Sequence, residues 1–218
     1  MINVIIQRYF STRKSNVFLF GVKILFIAIT PYQDLSKSHI KHYCEIEGVI
    51  DYLLIRVPMN TEEVIQWVHG LLKNEFPKDK IIVHSDINVI IQCDLSAIHF
   101  RESDPYIEEV QASYPDMQIS MSTHHKDAIA NAKYLGLDFV LFGHVFETSS
   151  KPQQTPRAKS EVEEALQIDI PIIAIGGINQ HTLSSLPNGF SGIAGISVFN
   201  QYSKEKLINM KEVWDGHV

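Results

Sequence analysis

Residues 171–197 read PIIAIGGINQHTLSSLPNGFSGIAGIS. Two short β-branched runs, PIIAIG (171–176) and GIAGIS (192–197), flank a segment with helical spacing at 180–186, so the stretch is one βα unit followed by the next strand. Outward from it, the same alternation fills the chain. Strands are expected at KILFIAIT (23–30), YLLIRV (52–57), KIIVH (80–84), AIHF (97–100), QISMS (118–122) and DFVLFG (138–143). Amphipathic segments lie between and after them, at 36–47, 61–74, 86–92, 105–114, 125–135, 159–167 and 204–213. Eight strand-helix units within 218 residues predict an α/β fold, a small TIM (β/α)8 barrel in a single domain. A doubly wound open sheet is the alternative, and it would place a phosphate loop after the first strand. That strand ends in ThrProTyrGln (30–33), which has neither GxGxxG nor GxxxxGK[ST] spacing.

The rest of the composition narrows the function classes. Nineteen Lys and Arg against 25 Asp and Glu give a net charge of −6, which argues against a nucleic-acid partner. Cys44 and Cys93 are the only cysteines and lack CxxC spacing, so neither a disulfide framework nor a thiolate zinc site is indicated and a cytoplasmic location fits. Residues 1–14 are basic and 16–29 largely apolar, in the order of a secretory signal. Lys23 interrupts the apolar run, which falls short of the roughly 18 residues of a membrane helix, so no membrane partner is expected. Residues 1–21 read as an extension before a barrel domain at 22–218, with Val22 a candidate native start. Apolar positions on outer helices, such as Ile65, Leu71 and Leu72, serve barrel packing or a homo-oligomer face equally well.

In a TIM barrel the chemistry occurs at the carboxyl ends of the strands, where the βα loops converge. The residues there are Arg56; His84 and Ser85; Arg101, Glu102 and Asp104; Ser122, Thr123 and His124; His144, Glu147 and Thr148; Gly176 and Gly177; and Ser197 and Val198. Gly176 and Gly177 end one strand and Ser197 and Val198 the next. Glycines let backbone amides approach an anion and helix N-termini add partial positive charge, so this pair of strand ends is expected to cradle a phosphate. The plainer alternative is that the two glycines only permit a tight turn with positive φ.

Five of the ten histidines (His84, His99, His124, His125 and His144) lie in or just after strands three to six. Imidazole is the natural side chain for taking a proton from one atom and returning it to another near neutral pH. His124, in SerThrHisHisLysAsp (122–127), is the best-placed candidate. His125 is expected to face solvent or open the helix, His99 to be a hydrogen-bonded barrel residue, and Glu102 and Glu147 are alternative acid-base groups. No HExxH or HxxEH spacing supports a metal site.

At these residues the chain resembles a known family. DFVLFGHVFET (138–148) followed by IPIIAIGGI (170–178), with SerThrHis upstream, is similar to the thiamin phosphate synthase superfamily, and most to its TenI-type thiazole tautomerases. The resemblance implies a barrel acting on the thiazole phosphate half of thiamin, without cofactor or metal. It implies that His124 is the catalytic acid-base and that Gly176, Gly177, Ser197 and Val198 hold the phosphate. Arg56, Ser122 and His144 would contact the carboxylate or ring, with His84 and Ser85 lining the same mouth. A synthase of this superfamily holds a pyrimidine diphosphate through Mg²⁺ between two Asp and a Gln-x-Arg-x-Lys segment. Here Asp104 fits one Asp and Ser85 stands at the other, while the segment keeps Arg56 but has Leu54 and Pro58 at its ends. Two further readings stay open: a synthase-like transferase with a degraded diphosphate site, and a non-catalytic thiazole phosphate binder or regulator.

Overall fold

The computed structural model describes residues 25–148 and 152–216, so the extension at 1–21 and Val22 lie outside the described residues. Eight strands form a closed parallel barrel: β1 (Leu25–Ile29), β2 (Tyr52–Ile55), β3 (Ile81–His84), β4 (Ala97–Phe100), β5 (Gln118–Thr123), β6 (Phe139–Gly143), β7 (Ile172–Ile175) and β8 (Gly192–Gly195). Each pairs with the next, and β8 closes on β1 with Leu25 opposite Gly192 and Ala28 opposite Gly195. The helices around it are α1 (Lys37–Ile46), α2 (Thr61–Lys73), α3 (Ile87–Gln92), α4 (Ile107–Ser113), α5 (Lys126–Tyr134), α6 (Lys159–Ala165), α7 (Ser197–Gln201) and α8 (Lys204–Asp215). This is the expected TIM barrel. Among the described residues no helix is long and apolar enough to cross a membrane.

Side-chain alternation along the strands builds two apolar layers. Leu25, Ile27, Ile29, Leu54, Ile82, Ala97, Phe139, Leu141, Ile173 and Ala194 pack as one cluster inside the barrel. Residues of the opposite parity, such as Phe26, Leu53, Val83, Phe100, Met121 and Phe142, pack outward against the helices. The inward set changes character toward the carboxyl ends of β3 to β5, where it continues as His84, His99, Ser120 and Ser122. At the opposite end Asp51 accepts the Phe26 N–H at 3.0 Å and Asp138 the Ile119 N–H at 2.7 Å, which ties consecutive strands together away from the mouth.

Two elements depart from the sequence expectation. The helix expected at 180–186 is a single 3-10 turn, Leu183–Ser185. Local side-chain bonds compete with helix there: the Thr182 hydroxyl donates to the Gly177 carbonyl at 3.0 Å and Asn179 Oδ1 accepts the His181 N–H at 2.8 Å. The strand expected to reach Ser197 stops at Gly195, and Ser197 instead opens the five-residue α7. The side-chain amide of Asn200 braces the turn, donating to the Ile29 carbonyl at 2.9 Å and the Ile196 carbonyl at 2.6 Å.

Candidate active site

The mouth is assembled from strand ends, and alternation decides which side chains enter it. Arg56 follows Tyr52 and Leu54 on the inward parity of β2, and His84 follows Ile82 on β3. Thr30 holds the first two loops together, its hydroxyl donating to the Arg56 carbonyl at 3.0 Å and accepting the Arg56 N–H at 2.9 Å. The Arg56 guanidinium lies 4.7 Å from the centre of the Tyr32 ring, so an exposed charge is held over an aromatic face.

His84 faces His99 at 6.0 Å between ring centres. Burial, and then the charges of Arg56 and Arg101, hold the His84 imidazole below its ordinary range, with Asp104 opposing them. Below it His99 is buried at 1% exposure, and that desolvation, reinforced by His84 and Arg56, pushes its pKa down to about 3. The ring is therefore neutral and satisfied by two hydroxyls, Ser120 at 2.8 Å on Nδ1 and Ser122 at 2.9 Å on Nε2. Ser120 also reaches the Ile98 carbonyl at 3.4 Å. If Ser120 gives its proton there, Nδ1 of His99 donates to Ser120 and Nε2 accepts from Ser122, which fixes the orientation of the Ser122 hydroxyl below the mouth.

His124 follows β5 with the same inward parity as Ser120 and Ser122, and its side chain is 43% exposed. Its Nδ1 lies 2.8 Å from Oε2 of Glu102, and its backbone N–H donates to the same oxygen at 2.8 Å. Among the described residues Nε2 makes no hydrogen bond. His125 is the N-cap of α5: its Nδ1 accepts the Ala128 N–H at 3.2 Å and its Nε2 lies 2.9 Å from Oε1 of Glu102. Sequence reading gave Glu102 only as an alternative acid-base group. The signal available was positional, since Glu102 stands two residues past β4 and His124 one past β5, on paired strands.

On the far side, β6 and β7 bring His144 and the two glycines into contact. Gly176 has φ +98° and Gly177 φ +69°, a region that favours glycine. A Cβ on Gly176 would lie 2.2 Å from the His144 Cβ, and one on Gly177 2.2 Å from the Glu147 carbonyl oxygen. Both glycines therefore let the loop after β6 lie directly on the loop after β7. His144 is buried at 3% exposure beneath its own loop, with Nε2 donating to the Gln154 carbonyl at 3.1 Å and Nδ1 without a partner among the described residues. Ser197 is exposed at the start of α7 and Val198 is buried behind it. The first amides of a helix have no acceptor within it.

The donors that a Mg²⁺-diphosphate site would need are otherwise engaged. Ser85, exposed with φ +56°, donates its backbone N–H to the His99 carbonyl at 2.9 Å. Its neighbour Asp86 caps α3, with Oδ1 accepting the Asn88 and Val89 amides and Oδ2 the Thr61 hydroxyl at 2.7 Å. Asp104 pairs with Arg101 at 3.3 Å and accepts the Tyr106 N–H at 3.2 Å. Among the described residues no three His, Cys, Asp or Glu side chains gather as a metal site.

Fold and site together define a TIM-barrel protein whose mouth carries histidines in or after β3 to β6 and a double glycine after β7. The chain belongs to the thiamine monophosphate synthase (TMP-TENI) family, whose model matches residues 29–201. It is 28% identical to the thiamine-phosphate synthase of Chlamydia caviae over 182 residues, 80% of this chain and 86% of that protein. It is also 28% identical to the thiamine-phosphate synthase of Chlamydia abortus over 199 residues, 87% of this chain and 94% of that one. The thiamine phosphate pyrophosphorylase structure from Pyrococcus furiosus shares the fold with a TM-score of 0.73 at 20% identity, covering 90% of this chain and 98% of that chain.

Proposed function

We propose that the protein is a thiazole tautomerase, an isomerase of thiamin biosynthesis that needs no metal. The observation that carries this reading is His124: a mouth-facing imidazole anchored through Nδ1 to Glu102, with Nε2 making no hydrogen bond among the described residues. The substrate is a dihydrothiazole carboxylate bearing an ethyl phosphate on an exocyclic double bond. Nε2 takes the proton from the ring carbon that carries the carboxylate, and the electron pair of that C–H bond becomes a ring double bond. The existing ring C=N bond shifts one bond along to the carbon that bore the exocyclic double bond, and the exocyclic π pair takes the proton back from Nε2 at its outer carbon. Atoms balance without co-reactant, and aromaticity drives the conversion.

The remaining residues serve binding. Backbone amides at Gly176, Gly177, Ser197 and Val198 suit the phosphate, and Arg56 with its fixed guanidinium suits the carboxylate. Ser122, oriented by His99, and the His84-Ser85 turn suit the ring. His144 supports the glycine side from beneath its loop. Incubation with the dihydrothiazole substrate in the presence of a chelator should produce the ultraviolet absorbance of an aromatic thiazole. His124→Gln should lower kcat by at least ~10²-fold while leaving phosphate-ligand binding within a few-fold. Wild-type turnover that survives in His124→Gln would refute the reading.

A second reading, a thiamine-phosphate synthase, is favoured by the names of the relatives. It requires a divalent metal between two carboxylates, and the donor set does not fit one, because Ser85 has no carboxylate, Asp86 caps a helix and Asp104 is paired with Arg101. Mg²⁺-dependent joining of the pyrimidine diphosphate to the thiazole phosphate would establish it instead.

A further inference from the structure

Glu102 sits between two consecutive histidines from the neighbouring strand end. Two N–H groups of His124, the backbone and Nδ1, meet Oε2 of its carboxylate, each at 2.8 Å, and Nε2 of His125 lies 2.9 Å from Oε1. Hydrogen bonding decides where each ring carries its proton. His125 must carry its proton on Nε2, because its Nδ1 accepts the Ala128 amide at 3.2 Å. His124 must carry its proton on Nδ1, because an ionised carboxylate only accepts. Two adjacent histidines thus carry opposite tautomers, His124 set by the Glu102 carboxylate and His125 by the Ala128 amide. An unconstrained neutral imidazole favours the proton on Nε2, so the state of His124 is imposed on it.

We propose that Glu102 is the positioning residue of the site. It holds His124 in the Nδ1–H tautomer, so that the lone pair on Nε2 faces the mouth, while Nε2 of His125 lies against the far oxygen. The catalytic consequence rests on the tautomerase reading, whereas the tautomer assignment does not. During turnover the C–H proton moves to Nε2 and leaves again, and the transient imidazolium lies beside the Glu102 carboxylate. Glu102 is 21% exposed and touches the base rather than the substrate.

Nitrogen-15 NMR of histidine-labelled, ligand-free protein tests this directly, with His124→Gln assigning the signal. Long-range proton-nitrogen couplings should show His124 as the Nδ1–H tautomer and His125 as the Nε2–H tautomer. Glu102→Ala should return His124 to Nε2–H and lower kcat by ~10-fold or more with KM changed less than about three-fold. Glu102→Gln keeps an acceptor oxygen, so it should retain the His124 tautomer and recover part of kcat. An Nε2–H tautomer at His124 in the wild-type protein would overturn the proposal. So would a Glu102→Ala variant with an unchanged tautomer, or with a switched tautomer and unchanged kcat. The expected tautomers in a protein that does not convert the dihydrothiazole would leave the clamp standing and remove the reaction.

Discussion

At the scale of single residues, the site depends on what the backbone permits as much as on side-chain chemistry. Gly176 combines φ +98° with a Cβ position 2.2 Å from the His144 Cβ, so neither torsion nor space accepts a side chain. Gly176→Ala should destabilise the fold by roughly 2–5 kcal/mol, the sum of a left-handed penalty and an overpacking penalty. Gly48, with nothing within 4 Å of its Cβ position, is the control, and Gly48→Ala should stay within about 1 kcal/mol of wild type. Urea denaturation of both variants checks the contrast, and equal midpoints would remove the packing argument. The same contact qualifies the sequence reading of the double glycine. A phosphate cradle and a tight turn were the alternatives, and the close approach of residues 144–147 requires glycine whether or not an anion binds.

At the scale of elements, α7 shows how a short segment just past a strand becomes fixed. Asn200 donates to the Ile29 and Ile196 carbonyls and accepts the Tyr43 hydroxyl at 2.5 Å, which joins α7 to β1 and to α1. Phe199 adds an edge contact with Phe26 at 5.9 Å, and its carbonyl meets Nε2 of His42 at 2.7 Å. Asn200→Ala removes the side-chain donor to the Ile29 carbonyl and the acceptor of the buried Tyr43 hydroxyl, while the Ile196 carbonyl keeps the backbone N–H of residue 200 at 3.1 Å, a loss expected at about 2–3 kcal/mol. Tyr43→Phe should cost about 1 kcal/mol alone, and the double variant less than the sum, because the two groups share a bond. Thermal or urea unfolding of the four-member cycle measures the coupling; strict additivity would mean that the Tyr43–Asn200 bond contributes nothing to stability.

At the scale of the whole molecule, the barrel buries a titratable half-layer. His99, with its pKa near 3, and His84, also lowered, are both kept neutral on folding. As pH falls through 6.5 the unfolded chain takes up these protons more readily than the folded chain, so stability rises with pH and falls as pH drops from the unfolded pKa toward each folded one. For His99 the loss continues until the folded value of about 3 is reached. Between pH 7.5 and 5.5 its share should be about 1.4 kcal/mol, which His99→Gln should remove from the slope of unfolding free energy against pH. An unchanged slope in that variant would place the protons elsewhere.

What the sequence by itself determined is the period and the punctuation. Eight β-branched runs with amphipathic segments between them specify the barrel, because each run must bury both faces and only closure gives all eight a neighbour on each side. The same periodicity located Arg56, His84, Ser122 and His124 at strand ends, since strand parity is a local property. Tertiary structure alone decided their partners. Glu102 reads as an ordinary loop carboxylate until β4 and β5 pair, and the bonds that set the tautomer of His124 run between residues 22 apart in the chain. Likewise α7 is tied to β1 through Asn200, which reaches a carbonyl 171 residues away. Helical and strand periods are short-range, whereas tautomers, buried pKa values and loop contacts are set by neighbours that only the closed barrel brings together.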